Sequence, residues 1–446
     1  MDNIASIFKS YDIRGTVGDQ LTEETVFDIA RCFADWLPTE GVVAVGYDMR
    51  PDSKNLASAF IRGLQEQGYN VWDIGLVTSD MIYFAVGKWD LAGGAVITAS
   101  HNPGKDNGIK LYRDKVIAVG LDAGLSEVRD NFLAKNIKPA SEKPGQTNSK
   151  NITEEWVNHC LNFVDKIQPF NIAIDAGNGM AGAILPHVLG KLPIKVQEMY
   201  FELDGTFPNH EANPQKTENL QDLVKVITNN GYDFGIAFDG DGDRAVFVDD
   251  LGRPVLGTDL LSAIAKRYIA KYPAAKIVHD VRTSRATREL IKEWGGEPVR
   301  TKAGRVNIGS LMRKIGAPFG GETTGHMFFK ENYDADSGLI TALVAMQALS
   351  DSGKKLSDLV DGYRKYVMPQ EINLVSSRQK TEVFNELKKE YSEGRFDELD
   401  GLTVEYDDFW FNLRASNTEP VMRLNVEATT QELVNKIVDK VTSTVN

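Results

Sequence analysis

The chain has 446 residues, 42% hydrophobic and 25% charged, a soluble globular composition too long for one ordinary core and sized for about three domains. A net charge of −13 excludes non-specific nucleic-acid binding, which needs a basic face, but leaves room for a local basic cleft that takes a phosphorylated ligand. No apolar run approaches ~20 residues and Met1 to Ile4 lacks the regions of a signal peptide, so a membrane span is not expected; Cys32 and Cys160 are too few and isolated for a disulfide framework, so the expected setting is a reducing cytoplasm.

Phe8-Lys9-Ser10-Tyr11-Asp12-Ile13-Arg14-Gly15 opens the chain. Thr22 ahead of Glu23 and Glu24 reads as the N-cap of a helix. An apolar strand from Val42 to Gly46 ends in Tyr47-Asp48-Met49-Arg50. Helical spacing follows from Lys54 to Gly68, then a strand from Tyr69 to Ile74. This alternation predicts a mostly parallel sheet. Ala95 to Thr98 reads as a buried strand that stops in Ala99-Ser100-His101-Asn102, and Pro103-Gly104 then forces a turn. Such a layout leaves the Ser100 hydroxyl at the carboxyl end of a strand, where open α/β sheets place ligands. Asn136 to Lys150, rich in Lys, Pro, Ser and Asn, reads as a linker, giving a first domain over 1–145.

A second α/β unit, 146–250, contains strands from Asn171 to Ile174 and from Asp233 to Phe238. A third, 251–365, holds a helix from Asp259 to Lys271, a strand from Lys276 to His279 and an apolar helix from Gly338 to Leu349. Similar strand ends at Ser100, Asp175, Asp239 and Asp280 hint at a repeated unit, without a strict sequence period. From Met368 the character changes. Helices from Thr381 to Tyr391 and Thr430 to Val441 around a strand–turn–strand predict a smaller α+β domain over 366–446.

Three carboxylates, Asp239, Asp241 and Asp243, crowd one turn. So close, they repel unless a cation holds them, and hard oxygen ligands suit Mg²⁺ or Ca²⁺. An EF-hand would need Gly at its sixth position and Glu at its twelfth; Arg244 and Asp250 stand there instead. Mg²⁺ prefers few protein ligands plus a phosphate oxygen, so a phosphoryl group is the natural further partner. Arg414-Ala415-Ser416-Asn417-Thr418 carries the groups that grip an anion without being consumed. In Gly321-Glu322-Thr323-Thr324-Gly325-His326, a carboxylate and a hydroxyl on alternate positions can bond adjacent sugar hydroxyls, and His326 can pass protons near neutral pH. His159, His187 and His279 lie in apolar or helical stretches and read as structural. Asp334 and Asp336 read as a polar loop.

Together Thr98-Ala99-Ser100-His101-Asn102-Pro103, Asp239 to Arg244, Gly321 to His326 and Arg414 to Pro420, in this order, resemble the α-D-phosphohexomutases, in particular their bacterial phosphomannomutase/phosphoglucomutase branch. The resemblance implies three similar mixed-sheet α/β domains plus a smaller C-terminal α+β domain around a central cleft. It implies interconversion of hexose 1- and 6-phosphates, mannose and also glucose, through a phosphoserine and a hexose 1,6-bisphosphate, in a monomer or weak dimer. Ser100 would carry the phosphate and, with Asp239, Asp241 and Asp243, hold Mg²⁺. Lys110, Arg14, Arg244 and His326 would serve catalysis. Lys9, Tyr11, His101 and Arg282 would contact substrate, as would Arg305, Glu322 and Thr324. Arg414, Ser416, Asn417, Thr418 and Arg423 would hold the phosphate that is not reacting. Thr324 stands where Ser is usual, Arg305 where the branch usually has His, and Arg282 where Lys is common, which leaves the sugar contacts open.

Three rivals remain. Aminosugar phosphates are alternative substrates, although Tyr11-Asp12-Ile13-Arg14-Gly15 resembles the mannose/glucose branch more closely. Asp175-Ala176-Gly177-Asn178-Gly179-Met180-Ala181-Gly182 contains Gly-x-Gly-x-x-Gly after a strand, with Glu202 placed like a ribose-binding acid, so an NAD-linked oxidoreductase is a second rival. A non-catalytic sugar-phosphate-binding protein is the third. No Gly-x-Ser-x-Gly elbow and no P-loop lysine motif occurs, against a hydrolase triad at Ser100-His101 and against a kinase of that type.

Overall fold

The computed structural model describes residues 2–376, 378–415 and 421–446. They fall into two compact units, Met1–Leu256 with Thr324–Ser357 and Gly257–Thr323 with Asp358–Asn446.

In the first unit the leading sheet contains β1 (Ile13–Thr16), β2 (Val42–Tyr47), β3 (Asn70–Leu76), β4 (Gly93–Ile97), β5 (Asp106–Arg113), β6 (Ile117–Ala118) and β7 (Thr147–Ser149). Their order is β1-β5-β4-β2-β3-β7, with β6 beside β5. β2 runs parallel to β3 and β4, but the chain reverses after β4, so β5 lies antiparallel to β4 and β1 and the sheet is mixed. The helix Glu23–Trp36 begins at its expected cap, where the Thr22 side chain accepts the Thr25 N–H. It turns Val26, Ile29, Ala30 and Phe33 inward, and these meet Phe60 and Leu64 of the helix Ser53–Glu66 over Val43 and Val45. Fully burying each large apolar side chain here contributes ~1.5–3 kcal/mol. The segment Asn136 to Lys150 is not a free linker. Its backbone bonds to the first domain at Ser141, Gly145 and Gln146, and it ends in β7, parallel to β3. The three β7 residues are exposed and polar, so no apolar pattern marks them as a strand.

The second sheet of this unit has the order β11-β10-β8-β9, from β8 (Asn171–Asp175), β9 (Lys195–Met199), β10 (Phe234–Phe238) and β11 (Ala245–Val248). Only β11 is antiparallel. The helix Gly338–Ser352 is apolar on every face and buried from Gly338 to Leu349; it packs on β11 and on the helix Thr153–Leu161. A short antiparallel hairpin, Met327–Phe329 with Ala335–Asp336, precedes it.

The second unit holds three parallel strands, Lys276–Asp280 flanked by Glu297–Thr301 and Phe319–Gly321. The helices Arg285–Glu293 and Arg305–Ile315 connect them. Its other part is an antiparallel sheet of Ile372–Val375, Arg395–Asp397, Leu402–Glu405, Phe409–Ala415 and Val421–Ala428, with the helices Lys380–Glu390 and Gln431–Val445. Three α/β portions and one α+β portion are the class read from the sequence. Among the described residues no helix is long and apolar enough to cross a membrane.

Candidate active site

Ser100 follows β4 with φ of 52°, a left-handed backbone that a non-glycine residue rarely adopts and that clusters at functional loops. Only 3% of its surface is exposed. Four features fix it. Its N–H donates to Thr98 Oγ1 at 2.9 Å, its carbonyl accepts from Arg50, and its Oγ lies 3.1 Å from Asp239 Oδ2 and 3.2 Å from His101 Nδ1. The loop after β10 meets it backbone to backbone: a Cβ on Gly240 would stand 2.5 Å from the Ser100 carbonyl oxygen, which is why glycine is needed there.

Asp239, Asp241 and Asp243 are wholly buried, with ligand oxygens all within 4.8 Å of one another. Two cations balance them. Lys110 on β5 places Nζ 2.5 Å from Asp241 and 2.6 Å from Asp243, and Arg244 donates through Nε to Asp239 at 2.8 Å. Burial lifts the Asp239 carboxyl to about 6 despite Arg244, with Asp243 and Asp241 adding to the rise. Burial also pushes Asp241 upward, but Lys110 and the Ser79 hydroxyl outweigh it and hold that carboxyl below the ordinary range. Asp241 Oδ1 is buried with no hydrogen-bond partner among the described residues. Clustered carboxylate oxygens, one of them without a hydrogen-bond partner, fit a hard divalent cation.

Arg14 on β1 joins this site, donating to Asn102 Oδ1 at 2.6 Å and to the Ala99 carbonyl at 3.2 Å while Asp12 fixes its other face. Arg244 also donates to His101 Nδ1. Burial, then the charges of Arg244 and Arg14, depress His101 and keep its ring neutral. His326 lies with Nδ1 2.6 Å from Asp336 Oδ2 and 3.9 Å from Asp243 Oδ1. Burial alone would lower its pKa, but the Asp243 charge and the Asp336 hydrogen bond prevail and raise it. Asp336, read from the sequence as a polar loop residue, is instead a buried partner of His326. Lys9 and Tyr11 are half-buried in the turn closed by the Lys9 N–H to the Asp12 carbonyl. The half-buried Thr324 offers its carbonyl to Gln215 at 2.8 Å.

The second unit gathers a different set. Arg282 is clamped by Asp280 at 2.6 Å, and burial is outweighed by Asp280 and Glu322 to raise its pKa. Glu322 Oε1 accepts the Gly304 N–H at 2.5 Å, which orders the turn that starts the helix at Arg305. Arg414 and Arg423 are cross-strand neighbours, and Glu371 accepts from Arg414 at 2.8 Å with Arg423 at 3.6 Å. Burial would raise Glu371, yet Arg414 and Arg282 hold it below the usual carboxylate range. This arrangement is a guanidinium cluster around one acid, suited to a phosphate. Ser416, Asn417 and Thr418 lie outside the described residues.

Two buried residues that sequence reasoning passed over brace the surroundings of the site, Arg50 at the Ser100 loop and Asp80 beneath the helix Gly338–Ser352. Arg50 donates to the carbonyls of Ser100, Asn102, Pro103 and Asp106 at 2.7–2.9 Å. Asp80, wholly buried, accepts from the hydroxyls of Thr78 and Ser337 beside the start of the helix Gly338–Ser352. Burial lifts its carboxyl to about 8, against the pull of those hydroxyls. A carboxyl with a higher pKa folded than unfolded favours the fold while protonated, and that advantage fades as pH climbs from 3.8 through about 8. Chelator-treated protein is therefore expected to lose about 3 kcal/mol from this group between pH 6 and 9, and Asp80→Asn to flatten the loss, as measured by denaturant melts across that range.

The glycine-rich turn after β8 does not leave room for a dinucleotide. A Cβ on Gly179 would lie 2.8 Å from the Gly240 carbonyl and one on Gly182 2.1 Å from that of Phe201, so protein backbone fills the approach. Asp175 accepts from Gly177 N–H and from His210.

Family models describing phosphoglucomutase/phosphomannomutase alpha/beta/alpha domains I, II and III match residues 5–134, 154–252 and 257–366, and the C-terminal domain model matches 371–444. The phosphohexose mutases of Xanthomonas campestris pv. campestris are 38% identical over 424 residues, covering 94% of each chain. The phosphomannomutase of Escherichia coli is 35% identical over 432 residues, again 94% of each. A phosphoglucomutase/phosphomannomutase family protein from Burkholderia thailandensis superposes with a TM-score of 0.90 at 30% identity, covering 98% of this chain and 96% of that one. With a serine hydroxyl held against one of three clustered, buried carboxylates and all four domain models matched in order, the chain belongs to the phosphoglucomutase/phosphomannomutase family.

Proposed function

We propose that this enzyme interconverts the 1- and 6-phosphates of mannose, and of glucose, by passing a phosphoryl group through Ser100. The observation that carries the reading is the Ser100 hydroxyl, 3.1 Å from Asp239 in the carboxylate triplet. Asp239, Asp241, Asp243 and an oxygen on Ser100 would hold Mg²⁺, which when bound neutralises charge on the phosphoryl oxygens. In the forward half-reaction the bond from phosphorus to Ser100 Oγ breaks and a bond to a sugar hydroxyl forms, giving a hexose 1,6-bisphosphate. After the sugar reverses, its other phosphate returns to Ser100 Oγ. Lys110 and Arg244 offset negative charge beside the moving group, and Arg14 keeps the Asn102 end of the loop in place. His326, its pKa raised by Asp243 and Asp336, would exchange a proton with the sugar hydroxyl. Glu322, Thr324 and Arg305 would read the sugar, and Arg282, Arg414 and Arg423 the spectator phosphate.

A coupled assay with mannose, glucose and glucosamine 1-phosphates, primed with hexose 1,6-bisphosphate, tests the reading. Mannose and glucose are expected to turn over fastest; preference for glucosamine would move the substrate to the aminosugars. Turnover by protein that never acquires a covalent phosphate at Ser100 would refute the route. Arg414→Ala is expected to raise KM about 10- to 100-fold with kcat within a few-fold, because one charged hydrogen-bond donor to a spectator group is lost. Initial rates over a range of substrate concentrations check this, and an unchanged KM removes Arg414 from the role.

A further inference from the structure

A cavity of about 560 Å³ opens within the second unit, and none of its lining residues is one of the site residues assigned above. Five of its ten lining residues are cationic: Arg285, Arg288 and Lys292 from the helix Arg285–Glu293, Arg300 from the strand after it, and Arg395 from the C-terminal sheet. Three lining residues are acids, so the walls carry two positive charges in excess in a chain whose net charge is −13. His279 adds none, since burial holds its pKa at about 4.

Arg285 spends its guanidinium on the carbonyls of Tyr406, Asp407 and Phe409, and Arg300 pairs with Asp397 outside the lining, but the three lining acids leave Arg288 and Lys292 with capacity to spare. Glu405 is shared by Arg288 at 3.1 Å and Arg285 at 3.5 Å, and Glu289 accepts the Tyr366 hydroxyl at 2.9 Å. Asp407 meets Arg395 at 3.3 Å on an exposed edge. Arg288 Nε is buried with no hydrogen-bond partner among the described residues, and Lys292 makes no ion pair among them. Burial and then the neighbouring Arg288 charge lower the pKa of Arg300, as expected where cations crowd. Guanidinium forks beside an ammonium on a concave wall match a compact polyanion bearing phosphate groups. The lining holds no serine and no cysteine, and its three acids are not among the metal-type clusters, which fits binding rather than transfer.

We propose that this cavity is a second anion site, occupied by a small molecule carrying two or more phosphate groups, separate from the sugar-phosphate grip at Arg414. Calorimetric titration of the intact protein with inorganic pyrophosphate, in chelator, tests it. A site is expected that changes less than threefold in Arg414→Ala and weakens at least tenfold in Lys292→Glu/Arg395→Glu, whose kcat/KM without pyrophosphate stays within twofold of the parent. Both side chains are exposed, so the double variant is expected to fold. If it melts early, Lys292→Glu alone is titrated, with at least a threefold weakening expected. Identical titrations for parent and charge-reversed protein overturn the proposal, as does loss of the pyrophosphate site through Arg414→Ala alone. Malonate binding as tightly as pyrophosphate overturns the assignment to phosphate.

Discussion

Ser100→Ala is expected to abolish multiple turnover, lowering kcat by about 10⁴-fold or more, the scale seen when an enzyme loses its covalent nucleophile. The reason is positional as well as chemical. Among the described residues no other hydroxyl is shown against Asp239, whose carboxyl burial lifts to about 6. The nearest alternative nucleophile, His101 Nδ1, already accepts a hydrogen bond from Arg244. Arg14 and Arg50 hold the loop through backbone carbonyls and Asn102, none of which the substitution removes, so substrate affinity should change little. Two measurements check this together: rates in the primed coupled assay, and intact mass after incubation with hexose 1,6-bisphosphate. The parent should gain one phosphate and the variant none. A variant that retains rates within tenfold of the parent would leave Ser100 a turn residue.

What the sequence disclosed was whatever is written locally. Ser100 at a strand end and the alternating aspartates needed no fold to be noticed. The helix cap at Thr22 and the α+β character after Met368 were likewise legible. What stayed hidden is chemistry made by long-range packing. Glu371 lies 43 residues from Arg414, and Asp80 lies 257 residues from Ser337, so no spacing rule links them. Asp336 looked like a loop acid because its partner, His326, lies across a hairpin. One local signal was missed. Asp12-x-Arg14, Asp48-x-Arg50 and Asp280-x-Arg282 share a spacing, and in each the aspartate clamps the arginine two residues on, at 2.9, 3.2 and 2.6 Å. At Asp48 and Asp280 the carboxylate also accepts the backbone N–H of the arginine two residues on, in the turn that ends the strand, so it pre-orients the guanidinium. Recognised as a device, that pattern would have singled out Arg50.

Arg50→Ala is expected to destabilise the first unit by about 3–5 kcal/mol and to cut kcat about 100-fold. The Arg50 side chain is 1% exposed and the Asp48 carboxylate 0%. Deleting the guanidinium leaves Asp48 buried without its countercharge; burial already raises that carboxyl with Arg50 in place. Four carbonyls of the 100–106 loop lose their donor at the same time. The loop would then relax the strained Ser100 backbone, and a shift near 1 Å at a reacting atom is enough for the rate loss. By contrast Arg62→Ala, which removes an exposed pair with Glu23, should cost no more than about 1 kcal/mol. Arg50→Lys separates charge from geometry. Lysine restores the countercharge to Asp48 but presents one nitrogen where five acceptors sit, so much of the stability should return while kcat stays depressed. Denaturant melts and primed steady-state rates on the three variants decide the matter. If Arg50→Lys recovers the parent kcat, charge alone holds the loop; if Arg50→Ala itself melts and turns over like the parent, the Ser100 loop keeps its shape unaided.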